Sequence, residues 1–313
     1  MLTQTPNPIM ILVNGSESFE FLQNIVTNDL NKFIRQFPNI KVTIVSGALP
    51  MALYEDYSNI SLRILLVKEK FSYHWISLYF KLRNQKYDHI IDFRSSPISY
   101  FLNAKNKDIF KMLKNKNIYN QIHNQFNTEL AYDYSIQIQE SRLKNIKHKN
   151  YACIAPFANW MPKEWPITNF KKCCDSLFEL GISKIFVLGS KEDSERFHLL
   201  SNGDVSNIIN KCGSNHLLDD FALLKKSSIF IGNDSGMMHL SSLANTPSIC
   251  LFGPTDDSIY FPKLSDNAYL MRSLKTYKEL TSNISNLNNY DKCLMNEISY
   301  DNVYDLMKKI LNG

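Results

Sequence analysis

The chain has 313 residues, about twice the length of an average domain, and this length predicts two domains. It is 44% hydrophobic, 12% aromatic and 21% charged, which is typical of a packed globular protein and excludes collagen-like, coiled-coil and wholly disordered chains. Its 35 basic and 30 acidic residues leave a mild net charge of +5, so we expect no nucleic-acid partner. A partner that carries phosphates is compatible with this charge.

The six cysteines show neither a metal-binding nor a disulfide pattern. No C-x-x-C pair occurs, Cys173 and Cys174 are adjacent, and Cys250 lies within an apolar run. This usage indicates a reducing cytoplasm, and no residue cluster has the spacing of metal ligands. The N-terminus lacks a signal-peptide pattern, and no apolar stretch approaches the ~18 residues of a membrane span. A membrane-bound substrate would therefore be reached from outside the bilayer.

Short apolar runs alternate with longer amphipathic segments, a pattern that predicts βαβ units around parallel sheets. In the first half, Phe19–Phe37 is predicted as an amphipathic helix. The strands predicted there are Ile9–Val13, Lys41–Val45, Leu62–Val67 and His89–Phe93.

The second half repeats this alternation. Its predicted strands are Ala152–Ala155, Lys184–Leu188, Ile229–Gly232 and Ser248–Phe252. Its predicted helices are Ile167–Leu180, Asp193–Leu200, Leu218–Lys225, Met237–Ala244 and Asp301–Leu311. The basic stretch Ser141–Asn150 is interpreted as a solvated linker, with a phosphate contact as the alternative. The fold class is α/β, with Rossmann-like domains at residues 1–148 and 149–313 that face each other across a cleft, where a ligand is expected.

The most informative stretch joins the strand Ile229–Gly232 to the helix Met237–Ala244. The first N–H groups of a helix have no internal partner and carry the positive end of its dipole, so Gly236 offers bare backbone to a phosphate. Asp234 is suited to accept hydrogen bonds from sugar hydroxyls. The alternative is that Asp234 or Ser235 only caps the helix, and local sequence does not decide between the two.

Three further turns follow predicted strands. Lys163 is confined between prolines and tryptophans, so its restrained ammonium suits a diphosphate clamp, unless it is an ordinary surface lysine. The acidic pair Glu192 and Asp193 suits ribose hydroxyls, although helix capping by Asp193 with Glu192 exposed is the simpler interpretation. Thr255 lies in the last of these turns. His239 is expected to pack within the fold rather than act as a base.

All four turns lie at the carboxyl ends of predicted strands in one domain, so they should converge on one edge of a sheet. Together they supply donors for a phosphate, a cation and acceptors for hydroxyl groups. The sequence therefore predicts a pocket for a nucleotide diphospho-sugar.

The sequence resembles glycosyltransferase family 9, the heptosyltransferases that extend the lipopolysaccharide core. The motifs that carry this resemblance are Tyr87–Arg94, Pro162–Pro166, Leu188–Asp193, Gly232–Gly236 with His239-Leu240, and Leu251–Thr255. The most specific of them are Asp-Ser-Gly-x-x-His-Leu and Phe-Gly-Pro-Thr. The resemblance spans most of the chain.

The resemblance implies a GT-B fold with an N-terminal acceptor domain and a C-terminal donor domain. It implies transfer of a heptose from ADP-heptose with inversion and without a metal. No cofactor is expected, because the nucleotide sugar is a substrate. On this pattern Lys163 contacts the diphosphate, Asp234 holds the sugar and Glu192 holds the ribose. The remaining donor-binding residues on this pattern are Ser235, Gly236, Met237, Met238 and Thr255.

One departure from the family concerns the catalytic base, which is proposed to be an aspartate in a Gly-Asp pair after the first strand. No Gly-Asp pair follows the first strand here, so Glu20, or second to it Glu17, is predicted to deprotonate the acceptor. Both glutamates are equally compatible with an exposed first helical turn. The acceptor, a glycolipid, glycan or protein, is expected near Arg94. Arg94 and the lysines of Lys105–Lys116 could meet an anionic glycolipid at the inner face of the membrane, or simply lie on a solvated helix face.

Two other classes of protein fit the same phosphate-binding features. A nucleotide-sugar epimerase shares the two-domain architecture, and a non-catalytic nucleotide-sugar-binding protein would have lost the base. A nicotinamide dehydrogenase fits less well, because no predicted strand is followed by G-x-G-x-x-G.

Overall fold

The computed structural model describes much of the chain. The described residues are 9–12, 39–67, 69–93, 95–111, 113, 121, 136–144, 146, 150–200, 206–262, 266–284 and 290–313. The predicted helix Phe19–Phe37 lies outside these residues, as do Glu17, Glu20 and Arg94. The chain divides into two compact units, Met1–Ile138 and Gln139–Gly313. The predicted domain boundary at residue 148 falls where the structure is not described.

Unit 1 is built on a sheet of five parallel strands in the order β3-β2-β1-β4-β5. The strands are β1 (Ile9–Leu12), β2 (Val42–Ser46), β3 (Ile60–Leu65), β4 (Tyr87–Asp92) and β5 (Ala104–Ile109). Three α-helices are described, namely α1 (Ala48–Ala52), α2 (Tyr73–Leu82) and α3 (Ile98–Phe101), and a 3-10 turn at Lys70–Ser72 precedes α2. This order of parallel strands is that of a Rossmann-like sheet.

The core of unit 1 lies between this sheet and the inner faces of α2 and α3. Leu78 and Leu82 of α2 and Ile98 of α3 pack with the strand residues Met10 and Ile90. At the end of β4, the Asp92 carboxylate accepts hydrogen bonds from the hydroxyls of Ser96 and Ser99, which fixes the turn that leads into α3.

The structure corrects one expectation for unit 1. The lysines of Lys105–Lys116 were expected either to meet an anionic glycolipid or to lie on a solvated helix face, and the helix is wrong for Lys105 and Lys107, which lie in β5 at the edge of the sheet. An edge strand that is exposed on both sides needs no apolar alternation, so its sequence Ala-Lys-Asn-Lys-Asp-Ile carried no strand pattern.

Unit 2 contains a sheet of six parallel strands in the order β11-β10-β9-β6-β7-β8. The strands are β6 (Tyr151–Ala155), β7 (Lys184–Val187), β8 (Ile208–Asn210), β9 (Ile229–Asn233), β10 (Ser248–Phe252) and β11 (Ala268–Arg272). The helices described are α4 (Glu140–Lys144), α5 (Ile167–Glu179), α6 (Leu217–Lys226), α7 (Gly236–Leu243), α8 (Asp257–Tyr260), α9 (Tyr277–Thr281) and α10 (Tyr300–Asn312). Two 3-10 helices are also described, at Met161–Lys163 and Glu192–Leu199.

Four neighbouring strands of this sheet are buried on both faces, which is why they read as continuous apolar runs. On one face, α5 and α10 bury Phe170, Leu177, Val303 and Met307 against the sheet. Helices α6 and α7 pack against each other, and α7 contacts β9 and β10.

The predicted linker Ser141–Asn150 is not only a solvated connector. Its first residues belong to α4, and Arg142 donates a hydrogen bond to Asp219 of α6 across 2.8 Å. Lys226, at the end of α6, donates to the carbonyl of Leu143. These contacts attach α4 to unit 2, and the ion pair could not be read from local sequence because its partners are 77 residues apart.

Two further expectations can be compared with the structure. All six cysteines have free thiols, as the sequence predicts, and desolvation raises the pKa of buried ones such as Cys153 to about 12. Among the described residues, no helix combines the length and apolar character needed to cross a bilayer.

Candidate active site

The four turns singled out from the sequence follow neighbouring parallel strands of unit 2. They leave β7, β6, β9 and β10, which are adjacent in the sheet, so all four lie at its carboxyl edge. This edge is where α/β sheets bind ligands, because helix N-termini and loop side chains meet there.

Lys163 and Asp234 are brought together at the centre of this edge. The Lys163 Nζ atom donates to the Asp234 Oδ2 atom across 3.0 Å and to the Asp234 main-chain oxygen across 3.1 Å. The Lys163 side chain is 18% exposed and that of Asp234 is 6% exposed, so the pair is largely withdrawn from water. Asp234 precedes the first residue of α7 by two positions, so the Lys163 ammonium group lies close to the start of that helix. Part of the Lys163 side chain remains accessible to a ligand.

Asn233, the residue before Asp234, holds the Lys163 loop in place. Its fully buried amide donates to the carbonyl of Pro156 across 2.8 Å, and its oxygen accepts from the backbone N–H of Trp165 across 3.1 Å. The Trp165 ring is buried, and its indole N–H donates to the carbonyl of Ile298. The loop is thus fixed on both sides of Lys163, which restrains the ammonium as the sequence analysis expects.

A second pair joins the Lys163 loop to the turn after β7. The buried Glu164 carboxylate accepts two hydrogen bonds from Arg196, across 2.8 and 2.6 Å, and a third from the backbone N–H of Ala158. The Arg196 guanidinium also lies 4.5 Å from the centroid of the Phe157 ring, and its hydrogen bonds to Glu164 raise its pKa. Neither Glu164 nor Arg196 was singled out from the sequence as a site residue.

Glu192 is exposed at the start of the 3-10 helix that carries Arg196. Hydrogen bonds from its own backbone N–H and from the Ser190 side chain lower its pKa, so it is an ionised acceptor. Ser190 and Asp193 bond reciprocally, since the Asp193 carboxylate accepts from the Ser190 N–H across 2.8 Å and the Ser190 hydroxyl accepts from the Asp193 N–H across 3.3 Å. Asp193 lies inside the 3-10 helix Glu192–Leu199, whose N-cap is Lys191 and makes no side-chain capping bond, so the expected N-cap role of Asp193 is wrong. The expected exposure of Glu192 is confirmed, and its carboxylate is open to a ligand.

Helix α7 begins at Gly236 beside the Lys163–Asp234 pair. Ser235 is its N-cap residue, with extended backbone, but its side chain makes no capping bond and its hydroxyl is buried without a partner. Thr255, after β10, has a second buried hydroxyl without a partner in the structure. An unsatisfied buried hydroxyl is costly, and these two lie at the sheet edge that carries Lys163 and the start of α7.

His239 lies in α7 and is fully buried. Desolvation lowers its pKa to about 4, with the nearby Asp234 charge opposing and the Lys163 charge adding to this effect. The imidazole is therefore neutral near pH 7, as expected for a histidine that packs within the fold.

The structure thus brings together the residues predicted to bind the donor. Lys163, Asp234, Ser235, Thr255 and the first residues of α7 lie at one edge of the sheet, and Glu192 follows β7 at that same edge. Met237 is partly exposed, whereas the Met238 side chain is buried in the core and its backbone N–H already donates to the Ser235 carbonyl across 3.1 Å. The unused N–H groups for a ligand are therefore sought at Gly236 and Met237. In the described part of the chain no group of three or more acidic, His or Cys side chains is arranged to hold a metal ion.

Comparison with known proteins agrees with this geometry. A family model described as Glycosyltransferase family 9 (heptosyltransferase) matches residues 63–290. Lipooligosaccharide heptosyltransferase 2 of Haemophilus ducreyi is 34% identical over 124 residues, which are 37% of this chain and 35% of that protein. The chain therefore spans about a third of the length of the first curated relatives that it matches.

Two solved structures resemble the whole chain. The ADP-heptose lipopolysaccharide heptosyltransferase II of Escherichia coli has a TM-score of 0.73 at 16% identity, with 97% of this chain and 98% of that chain covered. The glycosyl transferase family 9 protein of Veillonella parvula has a TM-score of 0.74 at 19% identity, with 99% of each chain covered. At such identities the likeness establishes the fold, which is the predicted GT-B class with two Rossmann-like units. Because the family model matches well over half of the sequence, this chain belongs to glycosyltransferase family 9.

Proposed function

We propose that this chain is an inverting heptosyltransferase that transfers a heptose from ADP-heptose to a lipopolysaccharide-core acceptor or a related glycan. The single observation that carries the proposal is the restrained Lys163 ammonium beside the N-terminus of α7. A cation and a helix N-terminus at one point form a site for a diphosphate, the leaving group in sugar transfer from a nucleotide. The name of the Escherichia coli neighbour, an ADP-heptose heptosyltransferase, supports this choice of donor.

The donor side of the mechanism follows from the charges at this edge. As the bond between the sugar and the diphosphate breaks, negative charge builds up on the leaving ADP. Lys163 and the free N–H groups at Gly236 and Met237 stabilise that charge, because they are held in place before the reaction. Asp234, which follows the pinned Asn233, accepts hydrogen bonds from the sugar hydroxyls, and Glu192 accepts those of the ribose.

On the acceptor side, inversion requires one direct displacement at the anomeric carbon. The acceptor hydroxyl attacks as the ADP leaves from the opposite face, and its proton passes to a carboxylate. We assign this role to Glu20, with Glu17 as the second candidate, since both follow β1 in the sequence. Arg94 is assigned to the acceptor because it follows β4, the neighbour of β1 in the unit 1 sheet.

The partners of the reaction set its place in the cell. A nucleotide-sugar donor is a cytoplasmic metabolite, and the reducing environment indicated by the free thiols agrees with a cytoplasmic enzyme. If the acceptor is a glycolipid, the enzyme works at the inner face of the membrane by peripheral contact. We expect no role for a metal ion, so the neutralisation of the diphosphate falls to Lys163 and α7.

The decisive experiment incubates the purified protein with ADP-heptose and a panel of deacylated core oligosaccharides, and analyses the products by mass spectrometry and NMR. A heptosylated product of inverted anomeric configuration supports the proposal, and the Glu20→Gln variant is its matched inactive control. Isomerised ADP-heptose would instead indicate an epimerase. Donor binding without turnover for any acceptor would indicate a non-catalytic sugar-nucleotide-binding protein.

Metal independence is tested in the same assay. Addition of EDTA should leave the initial rate unchanged, because the described carboxylates and histidines form no metal-ligand set. A loss of activity that Mg²⁺ or Mn²⁺ restores would show that a metal ion neutralises the diphosphate, and Lys163 would then lose its assigned role.

A further inference from the structure

Helix α2 in unit 1 is apolar on both of its faces. Its inner face buries Leu78 and Leu82 in the core of the unit. Its outer face exposes Tyr73, Ile76 and Phe80, which are spaced by three and four residues and therefore lie on one stripe of the helix. A solvated surface helix normally carries polar residues on its outer face, so this exposed apolar stripe calls for a function.

The stripe is extended by Phe71, which comes just before the helix. Its ring is 92% exposed, and its backbone lies in the left-handed region with φ 57°. Ser72 follows with φ 61°. Non-glycine residues seldom adopt this conformation, since it costs on the order of 1 kcal/mol per residue. The unfavourable backbone conformation of Phe71 and Ser72 therefore accompanies an aromatic ring that is held in solvent, away from the core of unit 1.

Exposed positive charges lie at both ends of the stripe. Lys70 precedes the helix, and Lys81, Arg83 and Lys86 lie in its last turn or just after it. No acidic residue occurs between positions 70 and 87 of the sequence. Within the described residues, none of these four cations forms an ion pair, and the Arg83 guanidinium lies 4.9 Å from the Phe80 ring centroid. Aromatic rings flanked by cations without ion-pair partners are suited to bind a surface that has an apolar interior and a negatively charged outer layer.

Neighbouring residues enlarge this surface. Helix α3 packs against α2 and exposes the rings of Tyr100 and Phe101. Both helices follow strands of the unit 1 sheet, so Phe71 and the start of each helix lie at the carboxyl edge of that sheet. This is the edge at which an α/β unit binds its ligand.

We propose that the outer face of α2, together with Phe71, docks on a bilayer surface that contains anionic phospholipids. The aromatic and aliphatic side chains enter the headgroup region, and the basic residues at both ends of the helix contact lipid phosphates. The helix lies flat on the membrane rather than across it, since its ten residues span about 15 Å. The proposed binding to the bilayer does not depend on the proposed function. Only its purpose does, which is to bring the carboxyl edge of unit 1 to a lipid-linked acceptor.

The test measures binding of the full chain to sedimented vesicles, without donor or acceptor. We expect binding to phosphatidylcholine vesicles that contain phosphatidylglycerol, no binding to phosphatidylcholine alone, and weakening by added salt. The double variant Phe71→Asn, Phe80→Gln removes two rings, and Asn tolerates the left-handed backbone. It should bind at least about tenfold more weakly. The variant Lys81→Gln, Arg83→Gln, Lys86→Gln should lose about fivefold per charge removed.

Two matched controls come from unit 2. Leu274→Ser removes a side chain that is 90% exposed, and Lys309→Gln removes an exposed lysine, so both should bind vesicles like the unaltered chain. Absence of binding to anionic vesicles, or equal binding by the α2 variants, would overturn the proposal. A dimer in solution that the Phe71 variant converts to monomers would overturn it too, because the face would then serve a second copy. Transfer to a soluble acceptor is measured separately and should not change in these variants.

Discussion

Replacement of Lys163 by alanine tests the candidate site most directly, because it affects stability and ligand binding through different contacts. In the structure, the Lys163 ammonium donates to the carboxylate and to the main-chain oxygen of Asp234. The variant leaves a carboxylate that is only 6% exposed without its counter-charge. Loss of one partner of a fully buried pair costs roughly 3–5 kcal/mol. Since Lys163 itself reaches water, we expect a loss of about 2–3 kcal/mol in the free energy of unfolding.

The second effect is on the ligand. If Lys163 contacts the diphosphate, the variant loses a charged hydrogen bond, which contributes about 1.5–3 kcal/mol. This corresponds to a dissociation constant for ADP that is about 10-fold to 150-fold higher. Isothermal titration calorimetry with ADP measures this affinity, and urea unfolding followed by circular dichroism measures the stability.

Two further variants separate these effects. The double variant Lys163→Ala, Asp234→Asn removes the unpaired charge, so its stability should return to within about 1 kcal/mol of the unaltered chain, whereas ADP binding should stay weak. Lys309→Ala removes an exposed lysine of α10 and should change neither quantity. An unchanged ADP affinity in Lys163→Ala, with the loss of stability present, would refute the reasoning. Lys163 would then be only the structural partner of Asp234.

Three other predictions concern a hydroxyl, the base and a buried acid. Thr255→Val should raise the free energy of unfolding by about 1 kcal/mol, because it removes an unpaired buried hydroxyl. The same variant should weaken ADP binding severalfold in calorimetry, and tighter binding would contradict a role in ligand binding. Glu20→Gln should lower the turnover number by about 10²- to 10⁴-fold with donor affinity kept, and Glu17→Gln should not; the reverse pattern would exchange their roles. Burial raises the pKa of Asp220 to about 7, so the folded state binds its proton more tightly than the unfolded chain. The free energy of unfolding should therefore fall as pH rises from about 4 to about 7, relative to Asp220→Asn, and parallel pH profiles of the two proteins in urea unfolding would contradict this.

The fold was predictable wherever apolar patterning is strong. Strands β6, β9 and β10 are buried on both faces, and their predicted bounds differ from the observed ones by at most one residue at either end. Strands β8 and β11 were missed because they lie at the sheet edges, where their side chains are only partly buried and burial imposes no apolar run.

Helix α2 was missed for a related reason. Its sequence Tyr-His-Trp-Ile-Ser-Leu-Tyr-Phe-Lys-Leu is apolar nearly all round, so it lacks the one-sided pattern from which amphipathic helices are predicted. The exposed apolar residues that obscure the amphipathic pattern of α2 are the same residues that we propose to contact the bilayer.

The candidate site was predictable as a set of turns but not as a set of contacts. The sequence marked Lys163 and Asp234 separately, since each follows a strand in a turn of distinctive composition. Their pairing joins residues 71 apart, and the pairing of Glu164 with Arg196 joins residues 32 apart. Such contacts depend on the order of strands in the sheet, which local patterns do not determine. The signal that could have identified Glu164 is its position beside Lys163, in the same short segment between Pro162 and Pro166.

The bidentate pair of Glu164 and Arg196 has a consequence for how this sequence can change over time. Replacement of Arg196 alone leaves the Glu164 carboxylate, which is 9% exposed, without its counter-charge. Replacement of Glu164 alone removes both hydrogen bonds that join Arg196 to the Lys163 loop. A joint exchange for two neutral side chains of similar volume avoids that penalty. Libraries randomised at both positions together should therefore yield folded double variants. Each of these could be reached by single substitutions only through a destabilised intermediate variant.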